Sequence, residues 1–292
     1  MAMLVREPIV AGQFYPAGRD ACVEMIESLR PGKLPEDLPD RPVAGVVPHA
    51  GWVFSGATAL AVLEAIRQGR TPKTFVLFGA VHGPIRASAV FSSGGWRTPL
   101  GLAEVDERLA GEVLARSEGL VADAPHAHEA EHSIEVQVPF IQYLFPEARI
   151  LPIAVLPDEH ATEIGRIVGR TVGSLDADAV CLGSTDLTHY GPAYGFTPKG
   201  LGEEALRWMR EENDRRMVDL MLRLDAEAAV PEAETRANAC GAGAVAATLA
   251  AARELGASCG RLVHYTTSCD VMRERMGSQG MDAAVGYAGV VF

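Results

Sequence analysis

Two histidines of the sequence each follow a short apolar segment. His49 comes shortly after Val43–Val47, and His82 comes shortly after Thr74–Phe78. Neutral imidazole binds iron, copper and zinc, and two such ligands with one anionic ligand leave coordination positions free for water, oxygen or substrate. The pattern therefore predicts a metal site, although a single histidine after a strand is also often a hydrogen-bonding loop residue.

A third histidine and an aspartate close another segment of the same kind. His189 lies three residues after Asp186, behind the apolar run Ala179–Leu182. In an open α/β sheet the carboxyl ends of parallel strands share one edge, and ligands usually bind in the crevice outside that edge. We therefore expect the three histidines and the aspartate to meet there.

Cys240 is the candidate for the anionic ligand. It opens the Ala-rich run that continues to Ala252, where a helix is predicted, and free amides together with the helix dipole lower the pKa of a thiol at such a position. A thiolate beside two imidazoles favours iron(II), copper or zinc over magnesium or calcium. The alternative is that Cys240 is simply a small residue that lets the start of the helix pack closely.

The segment His128–His132 offers a competing motif. Its sequence, His-Glu-Ala-Glu-His, matches the pattern in which two histidines one helical turn apart bind zinc and the Glu between them, here Glu129, is the general base of a peptidase. Pro139 limits the length of a helix there, and Glu147 is the only evident third ligand. An acidic first helical turn is the plainer interpretation.

Four further residues are candidates for the wall of the pocket. Glu131 or His132 can hydrogen-bond a ligand or a metal-binding side chain. Trp52 and Tyr190 lie close in sequence to the histidines, where their rings can shape the entrance, although aromatic residues near strand ends are as often ordinary packing.

Alternating apolar and helical segments indicate the fold that positions these residues. Six short apolar segments predict strands at Val43–Val47, Thr74–Phe78, Ile150–Val155, Ala179–Leu182, Arg261–Tyr265 and Ala284–Val291. Six periodic segments predict helices at Gly56–Arg67, Glu104–Ser117, Glu129–Tyr143, Ala161–Gly173, Glu203–Leu224 and Ala242–Leu255. This alternation is typical of an α/β protein with a mixed central sheet flanked by helices, and the Pro-rich stretch Pro31–Pro42 predicts a loop before the first core strand.

Composition favours a single domain over residues 1–292. Apolar residues make up 48% of the chain, which is enough for a large core. The formal charge of −12 is spread along the sequence and argues against a nucleic-acid partner. Five cysteines without a C-x-x-C pair argue against a disulfide framework and fit a reducing compartment.

Neither the N-terminus nor the longest apolar run suggests export or a membrane anchor. The segment Met1–Pro8 lacks the basic start and apolar stretch of a signal peptide. The run Cys240–Ala252 is well short of the roughly 20 residues that cross a bilayer. We therefore expect a cytoplasmic protein without a membrane partner.

Several segments of the sequence, taken in order, resemble the signature segments of the Memo family. These segments cover most of the chain's length and are Ala11–Pro16, Pro48–Gly56, Thr98–Gly101, His128–Phe140, Ser184–Gly191 and Cys240–Gly241. Six ordered segments are more specific than any one motif. The His-Glu-Ala-Glu-His run belongs to this family pattern, which weakens the peptidase interpretation.

The resemblance implies the fold of the catalytic subunit of class III extradiol dioxygenases, in which two His and a Glu bind non-haem iron and another His is the acid/base. On this sequence His49 and His82 match the two His ligands, and Cys240 stands where the dioxygenases have Glu. His189 matches the acid/base, with Asp186 beside it. Iron(II) is then the expected metal, with copper or zinc as alternatives. Because a thiolate changes the metal preference and can itself be oxidised, extradiol cleavage does not follow from the resemblance alone.

Three functions stay open on the sequence alone. The first is a metal-dependent redox or dioxygenase-like enzyme in which His189 transfers protons. The second is a non-catalytic protein that binds a metal, a small molecule or a peptide. Prokaryotic family members are also labelled component B of the AmmeMemoRadiSam system, which implies functional association with a radical SAM protein. The third is the zinc peptidase.

Overall fold

The computed structural model, which describes residues 3–277 and 282–292, is organised around a mixed sheet of nine strands in this part of the chain. The strands of both sheets are β1 Val5–Arg6, β2 Ala44–Val47, β3 Thr74–Gly79, β4 Ser88–Val90, β5 Gly95–Thr98, β6 Gly101–Glu104, β7 Val121–Asp123, β8 Arg149–Ala154, β9 Ala179–Ser184, β10 His189–Tyr190, β11 Arg261–Thr267 and β12 Ala284–Val291. The large sheet has the order β10-β12-β2-β9-β3-β8-β4-β7, with β11 also paired to β12, and β1, β5 and β6 form a small second sheet.

Helices cover both faces of the large sheet. They are α1 Arg19–Ser28, α2 Trp52–Gly69, α3 Glu107–Arg116, α4 Val138–Leu144, α5 Ala161–Ser174, α6 Glu203–Trp208, α7 Arg215–Arg223, α8 Ala226–Arg236, α9 Ala242–Glu254 and α10 Ser268–Met276. Helices α3, α5, α7, α8 and α9 pack in the core on one face, and α1, α2 and α4 pack on the other. The predicted α/β fold with a mixed, helix-flanked sheet is confirmed.

Most predicted elements are present, and two predicted helices differ. All six predicted strands exist, within two residues of the expected ends. The helix predicted at Glu129–Tyr143 is wrong in its first half, because α4 begins only at Val138. The helix predicted at Glu203–Leu224 contains a π-helical turn, Met209–Asp214, between α6 and α7. Pro31–Pro42 is a loop, as predicted.

The Ala-rich helix α9 is buried against the sheet and α5. A Cβ on Gly183 of β9 would lie 2.2 Å from the Thr248 hydroxyl of α9, and a Cβ on Gly165 of α5 would lie 2.1 Å from the Ala247 carbonyl oxygen. Only glycine, which has no Cβ, leaves room for α9 to approach β9 and α5 this closely. The small side chains of α9 are therefore explained by tight packing. No helix in the described ranges is both long and apolar enough to cross a bilayer.

Candidate metal centre

Three neighbouring strands place the predicted residues at one edge of the sheet. β2, β9 and β3 are parallel neighbours, so their carboxyl ends lie on the same side. His49 follows β2, His82 follows β3, and the segment after β9 carries Asp186 and His189. Cys240 lies just before α9, and its backbone amide donates to the Asp186 carbonyl at 3.2 Å, which places it at the same edge. The topology thus assembles residues that are far apart in the sequence.

His49, His82 and Cys240 form a group of converging ligand atoms. One ligand atom of each lies within 4.8 Å of the other two. The Sγ atom of Cys240 is 3.1 Å from Nε2 of His49, and the rings of His49 and His82 are nearly perpendicular with centroids 5.2 Å apart. Two imidazoles and one thiol are a donor set that iron(II), copper and zinc accept.

A serine at the end of β9 fixes which ring nitrogen of His49 faces this group. The Ser184 hydroxyl donates its proton to the Ser133 carbonyl at 2.8 Å, so its oxygen accepts the Nδ1–H of His49 at 3.0 Å. A neutral imidazole carries one N–H, and therefore Nε2 keeps its lone pair and faces Cys240. Burial is the main reason that the pKa of His49 lies well below its usual range. The ring is thus neutral and able to bind a metal.

Glu131 orients His82 in a similar way. Its carboxylate accepts hydrogen bonds from the ring Nδ1 of His82 at 3.1 Å, from the His82 amide at 2.8 Å and from the Ser133 amide at 2.7 Å. The ring proton on Nδ1 leaves the lone pair on Nε2. The hydrogen bond with Glu131 raises the pKa of His82. Burial alone would raise the pKa of Glu131, yet the hydrogen bonds from His82 and Ser133 hold it well below its usual range.

Burial determines the direction in which the pKa of the Cys240 thiol is shifted. The Asp186 amide donates to Sγ at 3.3 Å, and a Cβ on Gly241 would lie 2.2 Å from the Ser184 carbonyl oxygen, so glycine lets this loop press against β9. Burial, followed by the charge of Asp186, raises the pKa of the Cys240 thiol. The predicted lowering of this pKa by a helix start is therefore wrong. Helix α9 begins only at Ala242, and a bound cation would have to favour the thiolate.

Asp186 and His189 form a pair beside this group. Asp186 Oδ1 accepts hydrogen bonds from the amides of His49 at 2.7 Å and Ala50 at 3.3 Å, while Oδ2 lies 3.9 Å from His189 Nε2. This Nε2 atom is buried and has no hydrogen-bond partner among the described residues. Burial lowers the pKa of His189 and raises that of Asp186. The described residues therefore leave the hydrogen-bonding capacity of His189 Nε2 unused, on a side chain that lines the adjoining cavity.

A cavity of about 510 Å³ opens onto these groups. Its polar lining includes the four histidines His49, His82, His132 and His189 together with Asp186. The apolar part of its wall consists mainly of Phe14, Phe54, Tyr194, Met272, Val285 and Tyr287. Such a wall suits an organic ligand with an apolar body.

Comparison with known proteins identifies the family. A family model described as Memo-like protein matches residues 6–291. The chain belongs to the Memo-like family. The resemblance inferred from the six sequence segments is confirmed over nearly the whole chain.

Similar Memo-like proteins occur in archaea. The chain is 41% identical to a MEMO1 family protein of Thermococcus onnurineus over 298 residues, with 99% of each chain covered. It is 40% identical to one of Pyrococcus abyssi, again over 99% of both, and 39% identical to one of Methanopyrus kandleri over 98% of both. Among solved structures, the uncharacterized protein JW3007 from Escherichia coli K12 matches 85% of this chain and 99% of its own, with 11% identity and a TM-score of 0.49.

A pair of buried polar residues that the sequence pattern did not reveal joins two loops of the Memo-like centre. Asn213 and Asp214 end the π-helical turn. The Asn213 side chain donates to the Thr188 hydroxyl at 2.9 Å, and the backbone carbonyl of Asn213 accepts a hydrogen bond from the Asn238 side chain at 2.9 Å. Asp214 accepts the Thr188 amide at 2.9 Å and the Tyr265 hydroxyl at 2.7 Å. One helical turn thereby holds both the loop of His189 and the loop of Cys240.

Two predicted wall residues lie in the core instead. Trp52 is 1% exposed, and its ring stacks between those of Tyr15 and Phe140. Tyr190 is fully buried, and its hydroxyl donates to the Gly200 carbonyl at 2.8 Å. The prediction that Trp52 and Tyr190 shape the pocket entrance is therefore wrong. The aromatic residues that line the cavity are Phe14, Phe54, Tyr194 and Tyr287.

The geometry of segment 128–132 contradicts the zinc-peptidase alternative. A short 3-10 turn ends at His128, and no α-helix continues from it. His128 is buried and its Nε2 pairs with the Ala89 carbonyl at 3.1 Å. His132 faces the pocket, with its ring centroid 5.5 Å from that of His49. The two histidines of the motif therefore cannot share a zinc ion.

A buried ion pair explains why this segment is a loop. Glu135 is 1% exposed and lies 2.8 Å from Arg6 Nη1, and it also accepts the Tyr15 hydroxyl at 2.8 Å. Arg6 donates further to the carbonyls of His128 at 2.8 Å and Glu131 at 2.7 Å. These carbonyls are bound by a side chain and so do not enter a helix. The N-terminal segment thus shapes the loop that carries Glu131.

Proposed function

We propose that this Memo-like protein binds one redox-active metal ion through Nε2 of His49, Nε2 of His82 and Sγ of Cys240, and that it is an oxidoreductase. Iron(II) is the proposed metal, with copper as the alternative. The observation that carries the proposal is the convergence of these three ligand atoms within 4.8 Å of one another.

The surroundings of the ligands support this assignment. Both imidazoles donate Nδ1–H to an oxygen acceptor outside the group, which leaves a lone pair on each Nε2. Two imidazoles and one anionic ligand leave positions open for oxygen or substrate, and a bound iron or copper ion would supply the electron transfer. The residues present therefore fit a metal of this class.

His189 is proposed to be the acid/base of the reaction. Its Nε2 is unpaired among the described residues, and it lines the same cavity as the ligand group. A neutral imidazole with a free nitrogen can take a proton from a ligand and return it. Asp186, 3.9 Å away, would stabilise the imidazolium formed in this transfer. The apolar wall would hold the ligand and limit the access of water.

The test compares wild type with His189→Ala, both loaded with iron(II) under anaerobic conditions. Oxygen consumption is then followed in the presence of ascorbate. We expect the variant to keep its iron but to lose about 100-fold or more in rate, a loss typical for removal of an acid/base group. His160→Ala, which changes an exposed histidine at the start of α5, is the matched control.

Two other outcomes would decide against parts of the proposal. If His189→Ala consumed oxygen at the wild-type rate, the acid/base role would fail. If the wild type bound iron but consumed no oxygen, a non-catalytic metal-binding function would replace the oxidoreductase.

A further inference from the structure

A second group of metal-ligand atoms lies beside the first and shares one residue with it. His82, Glu131 and His132 each offer an atom within 4.8 Å of the other two. His82 Nδ1 is 3.1 Å from both carboxylate oxygens of Glu131, and His132 Nδ1 is 3.8 Å from Oε1 of the same carboxylate. Two imidazoles and one carboxylate are a donor set that divalent iron, cobalt and zinc accept.

The two groups differ in how their imidazoles meet the cavity. The side chains of His82 and His132 are 35% and 23% exposed, whereas His49 is 2% exposed; Glu131 is buried and Cys240 is half-buried. A cation that enters the cavity therefore meets the imidazoles of the second group, called here the outer group, before it reaches His49, which together with Cys240 is called here the inner pair. The carboxylate of Glu131 adds a negative charge that attracts cations to this position.

His82 cannot serve both positions at once. A neutral imidazole has one N–H and one lone pair. With the proton on Nδ1, the lone pair is on Nε2, as binding of a metal together with the inner pair requires. With the proton on Nε2 the lone pair faces Glu131 and the outer group. The two positions therefore exclude each other, and one cation can occupy either.

We propose that His82, Glu131 and His132 form a loading site, which captures a divalent cation first and passes it to the inner pair through the shared His82. The inference rests on the proposed inner site as the destination. On cation binding the Cys240 thiol releases its proton to solvent, and the resulting thiolate gives softer cations the stronger site, so the transfer runs inward. Capture at the outer group shifts the ring proton of His82 from Nδ1 to Nε2 through solvent, and transfer to the inner pair returns it to Nδ1, where Glu131 accepts it in a hydrogen bond.

Cobalt(II) is the probe that separates the two positions. Cobalt bound to a thiolate has a charge-transfer band, and cobalt bound only by nitrogen and oxygen lacks it. We expect wild type to bind one cobalt ion, and the spectrum of the complex should contain this charge-transfer band. His132→Phe, which keeps a ring against Phe14 but removes the lone pair, should reach the same final band about tenfold more slowly, because capture at the mouth is lost.

The variant Cys240→Ser isolates the outer group. It should still bind cobalt weakly and without the band, and adding His132→Phe should weaken that binding by about tenfold or more. His126→Ala, an exposed histidine on the neighbouring loop, is the matched control and should change neither quantity. Circular dichroism and thermal unfolding confirm that each variant is folded, and His132→Ala replaces His132→Phe if the latter is not.

The outcomes distinguish the loading site from the inner site. If His132→Phe loaded as fast as wild type, and both Cys240→Ser proteins bound cobalt equally, the loading site would be refuted while the inner site stood. If wild type showed no thiolate band, the inner site would fail, and the transfer would have no destination.

Discussion

The inner pair and the outer group are built differently. His49 and Cys240 are held from several directions, by Ser184, by Asp186 and by the loop contacts of the π-helical turn. His82 is held mainly by Glu131, through its ring and its amide. His49 and Cys240 are therefore fixed by more partners than His82, which lies on the side of the centre where a cation or a ligand enters.

Among substitutions of the residues that support the ligands, that of Glu131 should weaken metal binding most. Gln keeps one acceptor oxygen and places an NH2 group at the other, where three N–H donors now meet a carboxylate, so His82 loses much of its orientation and the loop loses one of its two backbone contacts. We expect Glu131→Gln to weaken iron(II) binding by about 100-fold, the upper end for loss of such a partner. Competition with a chelator measures the affinity, and Glu129→Gln, an exposed neighbour, should change nothing.

Substitution of Ser184 should have a smaller effect. Ser184→Ala removes the acceptor for Nδ1–H of His49, but the His49 amide remains bound to Asp186. We expect iron(II) affinity to fall by about tenfold in the same competition assay. Ser117→Ala removes a buried hydroxyl at the end of α3 and should leave the affinity intact. A larger loss for Ser184→Ala than for Glu131→Gln would reverse the proposed contrast between the two sides.

Substitution of Asp214 should have the smallest effect on metal binding. Asn can still accept the Thr188 amide, so Asp214→Asn should bind iron(II) as wild type does. The substitution should instead change how the free energy of unfolding depends on pH. Burial raises the pKa of Asp214 from 3.8 to about 6, so the native state binds this proton more tightly than the unfolded state does between these values.

The sign of the pH dependence follows from that raised pKa. As the pH rises through this window, the wild type loses stability because it must bury a charged carboxylate, and the loss reaches roughly 3 kcal/mol above the native pKa. Asp214→Asn lacks this loss. Urea unfolding should therefore show the variant gaining stability relative to wild type from about pH 5 to about pH 8. If the difference in free energy of unfolding between variant and wild type were the same at both pH values, the raised pKa of Asp214 would be contradicted.

The positions of the main site residues could be predicted because they depend on simple geometry. His49, His82 and His189 follow apolar strands, and parallel strands end at a common edge. Their meeting therefore follows from the strand pattern. Cys240 lies outside this pattern, and its place rested on a helix start and on the family resemblance. The protonation of its thiol could not be predicted, because burial depends on loops that only the folded chain brings together.

Other features could not be predicted because tertiary contacts override local patterns. Trp52 and Tyr190 are close in sequence to the histidines, yet their side chains point into the core. Asn213 and Asp214 lie in a segment with helical periodicity, where adjacent polar residues read as solvent-exposed. The π-helical turn carries them inward, and the one available signal was that Asn213 lies four residues from both Met209 and Met217, at the spacing of one helix face.

His49, His82 and Cys240 are proposed to hold one metal ion, and elemental analysis tests this without any assumption about the reaction. The protein is purified anaerobically and passed through a desalting column, with wild type beside His49→Ala and Cys240→Ser. We expect close to one iron or copper ion per chain in wild type and loss of that ion in both variants. Wild type without metal, or a metal content that neither substitution changes, would contradict a metal site formed by His49, His82 and Cys240.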